Sequence, residues 1–123
     1  MAETVNAHGA ATGIVLLISS EFLGRGEKPE LGSLLMGSFL NALDSLTVRP
    51  ETVIFVNSGV KLVVGDSPAV EALRRLEAQG VELLACGTCL SRYELTDRVA
   101  VGQVSNMHVI ADTLFQASKI VPL

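Results

Sequence analysis

The chain has 123 residues, 49% of them hydrophobic and 18% charged, enough for one domain with a real core and too few for two. Its net charge of −4, with no basic stripe, excludes nucleic acid, which is held mainly through Lys and Arg contacts to phosphate. Mean hydropathy is high at +0.47, yet no apolar run approaches the roughly 20 residues that cross a bilayer, so a membrane span is not expected and the surplus apolar surface points to a homo-oligomer.

Residues 1–12 are small and polar and read as a flexible tail, with residues 13–123 as a single domain. The tail carries Glu3 and no basic segment, which argues against a signal peptide. A reducing cytoplasm is therefore expected, where two cysteines are more often catalytic, redox-active or metal-binding than a structural disulfide.

Gly13–Ser19 is an unbroken apolar run, the pattern of a strand covered on both faces. After the loop Ser20–Pro29, the apolar residues Leu31, Leu34, Leu35, Phe39, Ala42, Leu43 and Leu46 recur at helical spacing. Thr52–Val56 predicts a second buried strand and Asn57–Val60 a loop at its carboxyl end. Ser67 and Pro68 suggest an N-cap and first helical residue, followed by a helix with Val70, Ala72, Leu73 and Leu76 turned inward.

Gly80 stops that helix, and the run through Ala85 predicts a third strand leading into Cys86. Cys89 to Leu95 reads as a short helix, Arg98–Val101 as a strand and Gly102–Ser105 as a loop. Ser105 is expected to cap a helix over Asn106–Gln116, and Ser118–Val121 to close the chain as a strand. Strands alternating with helices imply an α/β fold, a three-layer α/β/α sandwich around a mostly parallel sheet.

Ligands of such sheets bind at the carboxyl ends of the strands. Those ends carry Gly24, Arg25 and Gly26, then Asn57, Ser58 and Gly59, then Cys86, Gly87, Thr88 and Cys89, and last Ser105 and Asn106. Any one of these loops is simply what turns are made of. All four together, with a CxxC among them, suggest a site in which glycine exposes backbone N–H groups to a ligand.

Cys86 and Cys89 are the only cysteines. A thiol between a strand end and a helix start meets backbone amides that favour thiolate, and Arg25, Lys61 or Arg92 would add to this by folding inward. Cys89, one turn on, is placed to attack a sulfur held on Cys86. A thioredoxin-type redox pair has the same spacing, but follows the first strand of its unit and has a nearby cis-proline turn. A zinc site would have to combine both cysteines with His8 and His108 across two subunits, so no metal is expected. Phosphate binding at Leu23–Gly26 lacks the GxxxxGK[ST] arrangement. His108 reads as a partly exposed helix residue rather than a base, and free cysteines also serve as small core residues.

The strings Leu23-Gly24-Arg25-Gly26, Leu31-Gly32-Ser33-Leu34-Leu35-Met36, Phe55-Val56-Asn57-Ser58-Gly59-Val60-Lys61-Leu62, Leu73 to Glu82, Cys86-Gly87-Thr88-Cys89-Leu90 and Val101-Gly102-Gln103-Val104-Ser105-Asn106-Met107 carry a likeness that runs from Ile14 to Leu123. In these the chain resembles the DsrE-like sulfur-relay family, nearest the C-terminal domain of the YedF-type proteins linked with selenium metabolism. The resemblance implies a flavodoxin-like three-layer fold, homo-oligomers, and a sulfur-accepting cysteine after the third strand, here Cys86. It also implies persulfide transfer between partner proteins. YedF-type chains usually carry a small TusA-like sulfur-carrier domain ahead of this one. Only residues 1–12 precede the first strand here, so a TusA-like partner acting in trans is expected. The leading expectation is a sulfur or selenium relay protein, a sulfurtransferase or carrier with no cofactor. A non-catalytic oligomeric small-ligand-binding module and a CxxC dithiol redox protein are the alternatives.

Overall fold

The computed structural model describes residues 12–123. His8 and all of the expected tail except Thr12 lie outside the described residues. The apolar runs form strands where expected: β1 at Ile14–Ile18, β2 at Thr52–Phe55 and β3 at Glu82–Cys86. With β4 (Gln103–Ser105) and β5 (Lys119–Pro122) they make a five-stranded sheet in the order β4-β3-β2-β1-β5. Every neighbouring pair in that sheet is parallel.

Parallel neighbours require crossovers, and crossovers are right-handed. The helices α1 (Pro29–Leu43) and α2 (Val70–Ala78) connect strands that step in one direction, so both lie on the same face. Helix α4 (Met107–Gln116) carries the chain from β4 at one edge back to β5 at the other, across the opposite face. The result is the expected α/β/α layering. The strand order differs from the 2-1-3-4-5 of flavodoxin, so the likeness to that fold lies in the layers.

The core sits between these layers. Val53, Ile54 and Phe55 of the central strand are fully buried, met by Met36 and Leu40 from α1, Leu73 and Leu76 from α2, and Ile110 from α4. At the amino edge, the buried carboxylate of Glu51 accepts the Gly13 N–H at 2.7 Å, while its own backbone joins β1 to β3. Arg75 of α2 donates to Asp44 at 2.9 Å and to Asn41 at 2.8 Å, fastening α2 to the end of α1.

Several expectations are corrected. Leu31, Leu34 and Leu35 are exposed, because α1 carries two apolar stripes and Met36, Leu40 and Leu43 form the one that faces the sheet. The fourth strand is Gln103–Ser105, not Arg98–Val101; Val99 instead makes an isolated antiparallel bridge to Val64. Asn106, not Ser105, caps α4, its side-chain oxygen accepting the Val109 N–H at 3.0 Å. Ser67 makes a turn two residues before the N-cap of α2, accepting the Ala69 N–H at 3.1 Å. Residues Asn57–Val63 wind into a 3-10 helix instead of a loop, and the short helix α3 begins at Gly87 and ends at Arg92.

Candidate functional site: a dithiol beneath a left-handed asparagine

The carboxyl ends of β1, β2 and β3 converge on the two cysteines. Past β2, the Val56 N–H still donates to the Ile18 carbonyl at 3.0 Å. Asn57 then takes a φ of 51°, a left-handed conformation that Asn tolerates better than most residues. That turn starts the 3-10 helix and aims the Asn57 N–H at Cys89 Sγ, 3.1 Å away. Two residues on, a Cβ at Gly59 would run into the Ile18 carbonyl oxygen, so only glycine lets this helix start so close to β1.

Strand β3 passes into α3 without a loop. Cys86 is both the last strand residue, in register with Ser105, and the N-cap of α3. A Cβ at Gly87 would lie 3.0 Å from the Ser105 carbonyl, so α3 starts hard against β4. Leu90, fully buried, anchors the helix in the core. The two thiols are free, and they differ in access. Cys86 is 2% exposed, whereas Cys89 is only half-buried.

The expectation that helix amides meet the Cys86 thiol is therefore corrected. Its side chain makes no capping bond to α3 and is buried in the core. Cys89 is the thiol that meets an amide. Burial pushes the Cys89 thiol above its ordinary range, the neighbouring Cys86 thiol adds to this, and the Asn57 N–H works against both. The expected inward cations do not reach the sulfurs. Lys61 lies 4.8 Å above the Tyr93 ring and 3.7 Å from Glu21, while Arg25 and Arg92 are exposed.

Residues 35–123, from the middle of α1 to the end of β5, match the DsrE/DsrF-like family. The chain belongs to that family. Its fold is similar to the ychN protein from E. coli, with a TM-score of 0.68 at 16% identity over 89% of this chain and 97% of that one. A protein of unknown function from Methanobacterium thermoautotrophicum gives a TM-score of 0.62 at 20% identity, covering 89% and 97%. A conserved protein of unknown function from Bacteroides thetaiotaomicron gives 0.58 at 16% identity, covering 89% and 94%. No curated protein matches.

In this DsrE-like domain the rim divides into two groups. Asn57, Ser58 and Gly59 lie with Cys86, Gly87, Thr88 and Cys89 around the sulfurs, with Asn57 and Thr88 exposed. Gly24, Arg25 and Gly26 form an exposed loop, with no atom within 4 Å of a Cβ built at either glycine. The Asn106 side-chain oxygen is taken up by its cap and is not offered to a ligand. His108 is exposed on the first turn of α4. Among the described residues no group of three or more His, Cys, Asp and Glu could hold a metal ion, and no helix is long and apolar enough to cross a membrane.

Two features escaped sequence reasoning. Asn57 and backbone amides were expected to stabilise a charged sulfur on Cys86, but that the Asn57 N–H donates to Cys89 instead was not foreseen. The rim pairing of Lys61 with Tyr93 was foreshadowed only by Tyr93 being the sole tyrosine. A cleft of about 140 Å³ opens beside this pairing, lined by Glu21, Phe22, Lys61 and Leu62 together with α1 and the turn before α2; neither cysteine lines it.

Proposed function

We propose that this DsrE-like domain carries sulfane sulfur as a persulfide on its Cys86–Cys89 dithiol and passes it to a partner protein. One observation carries this reading: a part-exposed sulfur, Cys89 Sγ, sits under a fixed backbone N–H with a second thiol beside it. A persulfide terminates in an anionic sulfur, and an amide already aimed at the attachment point stabilises that charge without reorganisation. The raised thiol is less ionised at neutral pH but more nucleophilic as thiolate, so the two effects partly cancel in its attack on a donor.

The YedF-like strings around Asn57 and Cys86 extend the proposal in three directions. The cargo includes selenium as the heavier analogue of sulfur, a TusA-like carrier is the partner in trans, and the compartment is the reducing cytoplasm. The high content of exposed apolar side chains supports a homo-oligomer as the working form.

The test is intact-mass measurement after incubation with a low-molecular-weight persulfide, then with a TusA-like acceptor. The wild-type protein gains sulfur mass and loses it to the acceptor, and the Cys86→Ser/Cys89→Ser double variant gains none. Equal gain by the double variant would refute the reading. A reversible disulfide with no sulfur gained or released would make the pair a dithiol redox centre instead.

A further inference from the structure

The two thiols differ in two respects: access and hydrogen bonding. Cys86 is 2% exposed at the junction of β3 and α3, so a donor molecule meets little of its sulfur in this fold. Cys89 is half-buried and its Sγ is held by the Asn57 N–H. The side chains are close enough to interact with one another. Resting on the carrier reading, we propose that Cys89 accepts the sulfur and that buried Cys86 expels it as sulfide, so that the domain releases sulfide whenever no acceptor takes the cargo.

The chemistry balances without any external oxidant. The Cys89 thiolate attacks the outer sulfur of a small-molecule persulfide; the new S–S bond forms, the donor's S–S bond breaks, and the donor leaves as a thiolate. The outer sulfur on Cys89 then points to the open side, where a partner can take it. The neighbouring, buried Cys86 attacks the inner sulfur, Cys89 Sγ. Its attack forms the Cys86–Cys89 disulfide, breaks the persulfide bond and expels hydrosulfide, which carries away the Cys86 proton as hydrogen sulfide. The sulfane sulfur is reduced by two electrons and the two thiols are oxidised by two. A dithiol reductase resets the pair for another cycle. With selenium as cargo, the same step yields selenide.

The experiment compares wild type, Cys86→Ser and Cys89→Ser after brief exposure to glutathione persulfide, reading intact mass and released sulfide. Cys86→Ser keeps one added sulfur and releases no sulfide. The wild type loses its added sulfur with time, releases one sulfide per chain and ends lighter by two hydrogens. Cys89→Ser takes up nothing. Loading on Cys89→Ser but not on Cys86→Ser would reverse the roles and overturn this inference while leaving the carrier reading intact. So would a wild type that holds its persulfide as long as Cys86→Ser does. Failure of every protein to gain sulfur or release sulfide would instead defeat the carrier reading, and this inference with it. Rapid alkylation of the unsubstituted protein gives the same ordering without any variant: Cys89 is modified first, and modification of Cys86 first would overturn the assignment.

Discussion

Asn57 acts on the site through its backbone, and Cys89 shows the consequence. Its N–H favours the thiolate, while burial and the Cys86 thiol disfavour it more, so the Cys89 thiol stands above its ordinary range. Alkylation of Cys89 therefore accelerates as pH rises, through a midpoint above the ~8.5 of an unperturbed thiol. Cys86→Ala removes one of the two raising causes and brings that midpoint down. Iodoacetamide kinetics across pH checks both; a wild-type midpoint below that of free cysteine contradicts this balance. Only part of this was legible in the residues. The CxxC and the Asn–Ser–Gly turn marked the place, but which thiol is open depends on the register of Cys86 with Ser105 and on α3 starting at Gly87, which are tertiary facts.

Among the elements, the long apolar runs were readable because strands buried on both faces have no polar positions to interrupt them. Strand β4 was not, since it is a short edge strand with Gln103 and Val104 exposed, while the apolar Val99 and Val101 beside it drew the assignment away. The 3-10 helix after β2 was hidden for a different reason. Its residues have little helical preference, and tertiary contact with β1 imposes its course. Gly59 makes that contact possible. Gly59→Ala forces the helix away from the Ile18 carbonyl, at a cost of about 1–3 kcal/mol by analogy with overpacked cores. Thermal or denaturant unfolding reads the loss. The same variant slows alkylation of Cys89 at neutral pH, because drawing the Asn57 N–H off the sulfur removes the group that favours its thiolate. A variant as stable and as quickly labelled as wild type would show that the close approach is not needed.

At the scale of the molecule, the layers leave apolar side chains unburied. Phe115 is 91% exposed and Leu34 66%, with Met107 one helical face along from Phe115 and Leu31 and Leu35 flanking Leu34. Self-association is the expected outlet, so sedimentation should give a multiple of the 13.0 kDa chain mass, with Phe115→Glu or Leu34→Glu shifting it toward the monomer. A monomeric wild type would contradict this. The high hydropathy of the chain signalled such a surface, but its position on α1 and α4 was not legible, because inward and outward stripes on α1 have the same spacing. The central claim is that this DsrE-like domain holds sulfane sulfur at the junction of β3 and α3. Peptide mapping of the protein after exposure to a persulfide donor tests it most directly. The added sulfur is expected on the peptide that contains Cys86 and Cys89; a donor-treated protein whose cysteine peptide gains no sulfur, with no sulfide released and no disulfide formed, would contradict it.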